Sequence, residues 1–331
     1  MLSRWYVALR QCNVPDIAEA DFVTRWLIIS RACIFSITLT SGLIGMLLAA
    51  ELHGPFGLRE LGYALMAVMG LIAAHVTNNL LNDYIDTVRG VDTVEYTRGR
   101  YTTHPMLGGL TTLKHLLVGA LILTLFDIVI MCYLASQQGP MIVAFGVSGF
   151  FLSLAYTSIL KRFGLGEVTV MVVWGPLMIM GVYYSITGEM NSDVWWIALP
   201  YGLMVASVLL GKHIDRIEQD RTAGISSLPV ILGKKWSLLL LKSTFIIFYL
   251  LIFVLVLRGM VGAWVLLSVL GIVRLSKVWK AISKPRPETL PQNWPGEPLW
   301  YAVWSMYFHR AAGSFFVLGI IFNIITKYAF A

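Results

Sequence analysis

The feature that most limits this chain is the way its apolar residues are blocked out. Runs of 17–25 predominantly apolar residues recur along almost the whole length, and a run of about 20 crosses a bilayer as a helix. Nine spans are predicted, at about 26–50, 61–81, 116–135, 140–160, 168–187, 194–210, 236–257, 259–273 and 311–328, the eighth being shorter than the others. Residues 298–308 are rich in aromatics and read as an interfacial or re-entrant piece. Within lipid each span must satisfy its own backbone groups, so helices are expected throughout. The fold class is therefore an all-α, polytopic membrane bundle.

Composition agrees. Of 331 residues, 57% are apolar and 13% charged, about half the charge of a soluble domain. This argues against a soluble enzyme, a disordered chain and a secreted disulfide scaffold. The net charge of +7 is read as loop Lys and Arg following the positive-inside rule, and no nucleic-acid partner is expected. With the N-terminus placed in the cytoplasm, 19 basic residues fall on inside segments and 3 on outside ones. That split predicts a multi-pass protein with a cytoplasmic N-terminus and fits a bacterial inner membrane. Cys12, Cys33 and Cys132 are odd in number and widely spaced; they are expected to be packing residues, with neither a disulfide framework nor a zinc site.

Residues 1–25 are mixed in character and read as an interfacial segment ahead of the membrane domain at 26–330. Two long polar loops, about 87–115 and 211–235, lie on the predicted inner face, and each follows an apolar span ending in Asp or Asn. This suggests two four-helix halves, about 26–165 and 166–280, plus a C-terminal helix.

The chemistry lies where those spans end. Asn79, Asn82, Asp83 and Asp86 stand at i, i+3, i+4 and i+7, which puts them on one helical face. Oxygen donors on one face suit Mg²⁺, which is often held by one or two carboxylates plus substrate phosphates. His75, one turn deeper, reads as a hydrogen-bonded helix contact. A second cluster holds Asp215, Glu218 and Asp220 among Lys212, Arg216 and Arg221. Asp215 and Asp220 are five apart and converge only if the helix breaks between them; otherwise the stretch is a charge-balanced loop. Two facing carboxylate groups could hold Mg²⁺ ions that bind a diphosphate, with basic residues as further phosphate donors. An apolar interior would shelter an isoprenoid tail and keep water from a carbocation, and aromatic faces would stabilise that cation.

On these residues the chain resembles the UbiA superfamily of intramembrane prenyltransferases. The first family motif, Asn-Asp-x-x-Asp, stands here as Asn82-Asp83-Tyr84-Ile85-Asp86, with Gly90 and Asp92 following as in the menaquinone-pathway branch. That branch transfers prenyl groups to 1,4-dihydroxy-2-naphthoate. Ala155-Tyr156-Thr157, Leu160-Lys161, Gly164-Leu165-Gly166-Glu167 and Gly175-Pro176-Leu177 resemble its loop between the fourth and fifth spans. In the second motif Asp220-Arg221 and Gly224 match, but Arg216 stands where an Asp is expected and Asp215 precedes it, which raises Glu218 as a substitute.

The resemblance implies about nine helices around a central cavity, Mg²⁺-dependent ionisation of a prenyl diphosphate, and alkylation of a small aromatic acceptor. It implies Asp83, Asp86, Asp215 and Asp220 as catalytic carboxylates, with Asn82 and Glu218 joining them around the metal. It implies Asn79, Arg98, Tyr156, Lys161 and Lys212 as substrate contacts. Trp174, Tyr183 and Tyr184 are candidate tail-pocket residues, and the His104-Pro105 segment stands where many relatives have Arg-Pro. Arg31 and Asp127 are buried-charge flags within spans. Two rival readings stay open: a membrane terpene cyclase that quenches the cation internally, and a cation-coupled transporter.

Overall fold

The computed structural model describes residues 1–15, 17–90, 103–292 and 294–329, without the side chains of 157, 158, 161 and 162. Among them every regular element is helical. Helix α1 (Leu2–Gln11) and helix α2 (Phe22–Ile29) precede the bundle. Asp21 caps α2, accepting from the Thr24 backbone and hydroxyl at 3.1 and 2.6 Å and from the Trp5 indole at 3.1 Å. Those donors hold its carboxyl well below the usual carboxylate range, Thr24 contributing most.

The bundle then runs through α3 (Phe35–Leu48), α4 (Leu58–Val88), α5 (Leu113–Gln138), α6 (Met141–Ser158), α7 (Gly166–Val172), α8 (Met178–Thr187), α9 (Ser192–Asp215), α10 (Ile217–Thr222), α11 (Leu228–Leu257), α12 (Ile272–Ile282) and α13 (Tyr301–Ala329). Helices α4, α6 and α9 descend to the same face, so the ends of α4 and α9 that carry the polar clusters share it. Helix α9 is the hub: it packs against α7, α11 and α13, and its Ile197, Tyr201 and Met204 are fully buried. Helix α5 is peripheral and contributes few buried residues.

All nine predicted spans coincide with helical runs. Seven runs among the described residues are long and apolar enough to cross a membrane: Ala32–His53, Leu58–Val88, Leu113–Gln138, Gly166–Thr187, Ser192–Asp215, Leu228–Leu257 and Tyr301–Ala329. The fourth span is a shorter apolar helix. The eighth is a 3₁₀ stretch, Ala263–Gly271, that continues into the amphipathic α12. One expectation is corrected. Residues 298–308 are no re-entrant piece, because from Tyr301 onward they form the opening turns of α13.

Close helix contacts rest on glycine. A Cβ at Gly202 of α9 would collide with the Met171 carbonyl and sit 3.0 Å from Gly175 Cα. A Cβ at Gly211 would lie 2.7 Å from the Tyr301 carbonyl oxygen. Small residues let membrane helices approach at backbone distance. Between α7 and α8 the chain forms a π turn, Val173–Leu177, at Gly175-Pro176. The kink is satisfied from α3, where Ser41 donates to the Trp174 carbonyl at 2.6 Å.

The cysteine expectation is also overturned. Cys12 and Cys33 form a disulfide with Cα atoms 5.2 Å apart, and Cys132 is free. The bridge ties the end of α1 to the start of the first span.

Candidate functional site

One large cavity, about 1330 Å³, opens along the bundle axis. Its wall changes character with depth. Arg10, Asn13, Arg31, Asn78, Asn79, Asn82, Asp86, Lys212, His213 and Arg216 gather at the end where α4 and α9 terminate. Beyond them the lining is mostly apolar, with Ile34 just before α3, Ile37 of α3, Leu71 of α4, Met131 of α5, Phe145 of α6, and Leu177 and Met178 at the start of α8.

The first cluster is built on α4. The helix buries Asn79, Asp83 and Asp86 on one face. Asn79 donates to the Ser30 carbonyl at 2.9 Å, and Asp83, fully buried, accepts from Arg31 Nη2 at 2.5 Å. Arg31 itself sits at φ +57°, a left-handed conformation uncommon outside glycine that marks strain at a site. Two α4 side chains thus pin a strained turn. Asn82 and Asp86 of the same face line the cavity.

The second cluster is arranged differently from its expectation. The helix does break, at Arg216 (φ −119°, ψ 14°), but the break does not turn Asp215 toward the cavity. Both its oxygens accept backbone N–H groups at the start of α13, from Tyr301 at 3.1 Å and Ala302 at 3.0 Å. Asp215 thus serves as a helix cap, a role that its distant sequence partner concealed. Glu218 is exposed, pairs with Arg221 at 3.0 Å, and is not among the residues that line the cavity. Asp220 is fully buried, accepting from Arg216 Nη2 at 3.1 Å and Ser227 Oγ at 2.9 Å.

Tyr156 lines the same cavity, its ring 3.3 Å from where a Cβ at Gly166 would stand. Glu167, from the Gly166-Glu167 stretch, holds His213 Nδ1 at 2.8 Å in a buried pair that spacing gave no signal for. Lys212, next to His213, also faces the cavity. Arg98 and the Lys161 side chain lie outside the described residues.

Among the tail-pocket candidates, Trp174 lines the cavity, and its indole donates to Thr38 Oγ1 at 3.1 Å. The same hydroxyl pairs with His75 Nδ1 at 2.8 Å, so His75 is a hydrogen-bonded helix contact. Tyr183 and Tyr184 are buried in the packed clusters behind the cavity wall and do not themselves line it, which corrects their assignment. In an all-apolar span the pattern does not separate core from cavity. His104 accepts backbone N–H groups of Met106 and Leu107 in its own turn.

The donor chemistry fits a hard divalent cation at the polar end. Asn82 and Asp86 offer oxygen to the cavity beside Lys212 and Arg216. Among the described residues no three acidic, His or Cys side chains gather closely enough to hold a metal alone. An ion here would thus share its coordination with substrate phosphates, the usual arrangement for Mg²⁺.

The UbiA prenyltransferase family profile matches residues 38–306. The 1,4-dihydroxy-2-naphthoate octaprenyltransferase of Bacillus subtilis (strain 168) is 24% identical over 242 residues, covering 71% of this chain and 76% of its own length. UbiA prenyltransferase domain-containing protein 1 of Homo sapiens is 27% identical over 254 residues, covering 72% and 70%. Among solved structures, a UbiA homolog from Aeropyrum pernix K1 superposes with a TM-score of 0.65 at 17% identity, covering 89% of this chain and 98% of that one. A UbiA homolog from Archaeoglobus fulgidus bound to DMAPP and Mg²⁺ superposes with a TM-score of 0.59 at 12% identity, covering 88% and 99%. At these identities the structures establish a shared bundle fold.

Proposed function

The chain belongs to the UbiA prenyltransferase family and is a transferase of prenyl groups, and we propose that it ionises a prenyl diphosphate at the polar end of its cavity and alkylates an aromatic acid. The observation that carries this reading is the cavity's polarity gradient. Acidic, amide and basic side chains crowd one end and mostly apolar side chains line the rest, which is the shape of a diphosphate joined to an isoprenoid tail.

In this reading Asn82 and Asp86 hold Mg²⁺ together with the substrate phosphates, and Lys212 and Arg216 face the remaining phosphate oxygens. The metal, when bound, neutralises charge on the departing diphosphate. The bond between the first tail carbon and its oxygen breaks, and both electrons leave with the diphosphate. The allylic cation is sheltered from water by the apolar wall and stabilised by the faces of Tyr156 and Trp174. A ring carbon of the acceptor then bonds to the cation, and the ring recovers its electron pair by losing a proton or, from its carboxylate, carbon dioxide. Asp83 acts through Arg31, positioning the turn beside the site. Asp220 acts by orienting Arg216.

The acceptor's acid group has candidate partners. Arg274 stacks over the Tyr307 ring at 4.8 Å, Arg310 follows one turn along α13, and both line the same cavity. Neither forms an ion pair with a carboxylate among the described residues. A naphthoate relative fits this arrangement, with its ring against Tyr307 and its carboxylate at the arginines. The positive-inside count supports a cytoplasmic acid end.

The test is product analysis. Purified protein in lipid nanodiscs receives farnesyl or geranylgeranyl diphosphate and Mg²⁺, with and without 1,4-dihydroxy-2-naphthoate. A prenylated aromatic formed only with acceptor supports the reading. A cyclic hydrocarbon released without acceptor replaces it with cyclisation. Ion flux without any diphosphate turnover replaces it with transport.

A further inference from the structure

Asp127 stands on the cavity face of α5, in register with Thr124 and Met131, which line the same wall. Its Oδ1 is buried and makes no hydrogen bond. It also forms no ion pair among the described residues. Across the seam lies Gly70 of α4, where an added Cβ would be 3.5 Å from that oxygen, so the carboxyl packs directly against the α4 backbone at that level. A lone carboxyl in a membrane helix is costly and calls for a functional account.

Depth decides which account applies. Gly70 precedes Asp86 by 16 residues on one continuous helix, which places Asp127 about 24 Å below the acid end at 1.5 Å per residue. The reacting carbons and the acceptor ring do not reach that far, so Asp127 is neither an acid–base group nor an acceptor contact. What reaches it is the far end of the tail. An isoprene unit adds four chain bonds of about 1.5 Å, roughly 5 Å when extended, so after the diphosphate about four units span the distance. Space does not end there, because Ala67, Leu134 and Ile142 line the cavity one to two turns further on.

We propose that Asp127 is a polar ruler that sets the preferred tail length of the prenyl diphosphate. A tail of up to about four units ends short of Asp127 and leaves the part of it that is still exposed to the cavity hydrated. A longer tail must slide across it, stripping water from a carboxyl that gains no hydrogen bond in return. The limit is one of polarity rather than volume. The proposal rests on the prenyl diphosphate reading above and deepens it by naming a specificity-determining residue.

The experiment compares kcat/KM for geranyl, farnesyl, geranylgeranyl, hexaprenyl and octaprenyl diphosphates, using the full chain in nanodiscs with Mg²⁺ and 1,4-dihydroxy-2-naphthoate. The wild type should fall off beyond four units. Asp127→Leu should raise the ratio of octaprenyl to geranylgeranyl turnover by about tenfold or more, as the desolvation cost predicts. Asp127→Asn, a polar isostere, should keep the wild-type profile. Asp127→Ala supplies a smaller apolar variant should leucine disturb the α4–α5 seam. An unchanged ratio in the apolar variants overturns the ruler, as does an equal rise in Asp127→Asn. Absence of turnover with every tail length overturns the prenyl-transfer reading itself, and the two failures are told apart by whether short tails react.

Discussion

The carboxylate of Asp215, at the last residue of α9, accepts the backbone N–H of Tyr301 at 3.1 Å and so caps a helix that begins 86 residues later. Gly211, one turn before it, makes room for that close approach. Asp215→Ala should therefore behave as the loss of an N-cap. We expect it to lower unfolding stability by about 1–2 kcal/mol while the turnover of folded protein survives. Thermal unfolding in detergent, run beside single-turnover assays, checks this; loss of activity with an unchanged midpoint would return Asp215 to the metal site.

Asp86→Asn should show the opposite pattern. Its side chain lines the cavity, and we expect turnover to fall at least about a hundredfold, of the order seen when a charge-stabilising group is removed, with the melting midpoint nearly unchanged. Asp83→Asn should fail on both counts, because it strips the buried partner from Arg31 and costs about 3 kcal/mol of stability.

Chelation offers an independent readout. Excess EDTA should abolish product formation, and added Mg²⁺ should restore it, because Asp86 and Asn82 offer too few ligands to retain the ion without substrate phosphates. Full turnover in chelator would remove the metal from the proposal.

The expectations that held and those that failed divide along one physical line. Hydrophobic run length located every span, because bilayer thickness imposes it whatever the helix packs against. The face carrying Asn79, Asn82 and Asp86 was legible because helical periodicity alone brings those residues together. Whatever depended on a distant partner was hidden. Arg31 stood out only as a buried charge, and nothing local pointed to Asp83, 52 residues away. The break at Arg216 was foreseen as a condition for convergence, yet the orientation of Asp215 depended on α13. Cys12 and Cys33 looked like packing residues because their spacing says nothing of the fold that joins them. Tyr183 and Tyr184 lie in a stretch apolar on every side, where no stripe distinguishes wall from core.

Helix packing supplies a further test. Gly202 meets the backbone of Met171 and Gly175 directly, so Gly202→Leu must force α9 away from α7. We expect loss of the folded, monodisperse protein in detergent rather than a selective loss of activity, measured by size-exclusion chromatography.

The disulfide predicts a labelling pattern. Under denaturing, non-reducing conditions one of the three cysteines, Cys132, should react with maleimide, and all three should react after reduction. Cys12→Ser should cost about 3 kcal/mol by releasing a 21-residue loop. Three reactive thiols before reduction would show that the compartment facing α1 keeps the pair open.

Helix α4 has 31 residues, about 46 Å of rise, against about 30 Å of hydrocarbon. Asp83 lies 25 residues along it from Leu58, about 37 Å, so with the first turn at one boundary the carboxylates emerge at headgroup height on the other. At that level a donor dissolved in oil and an acceptor dissolved in water can meet without either one leaving its own phase.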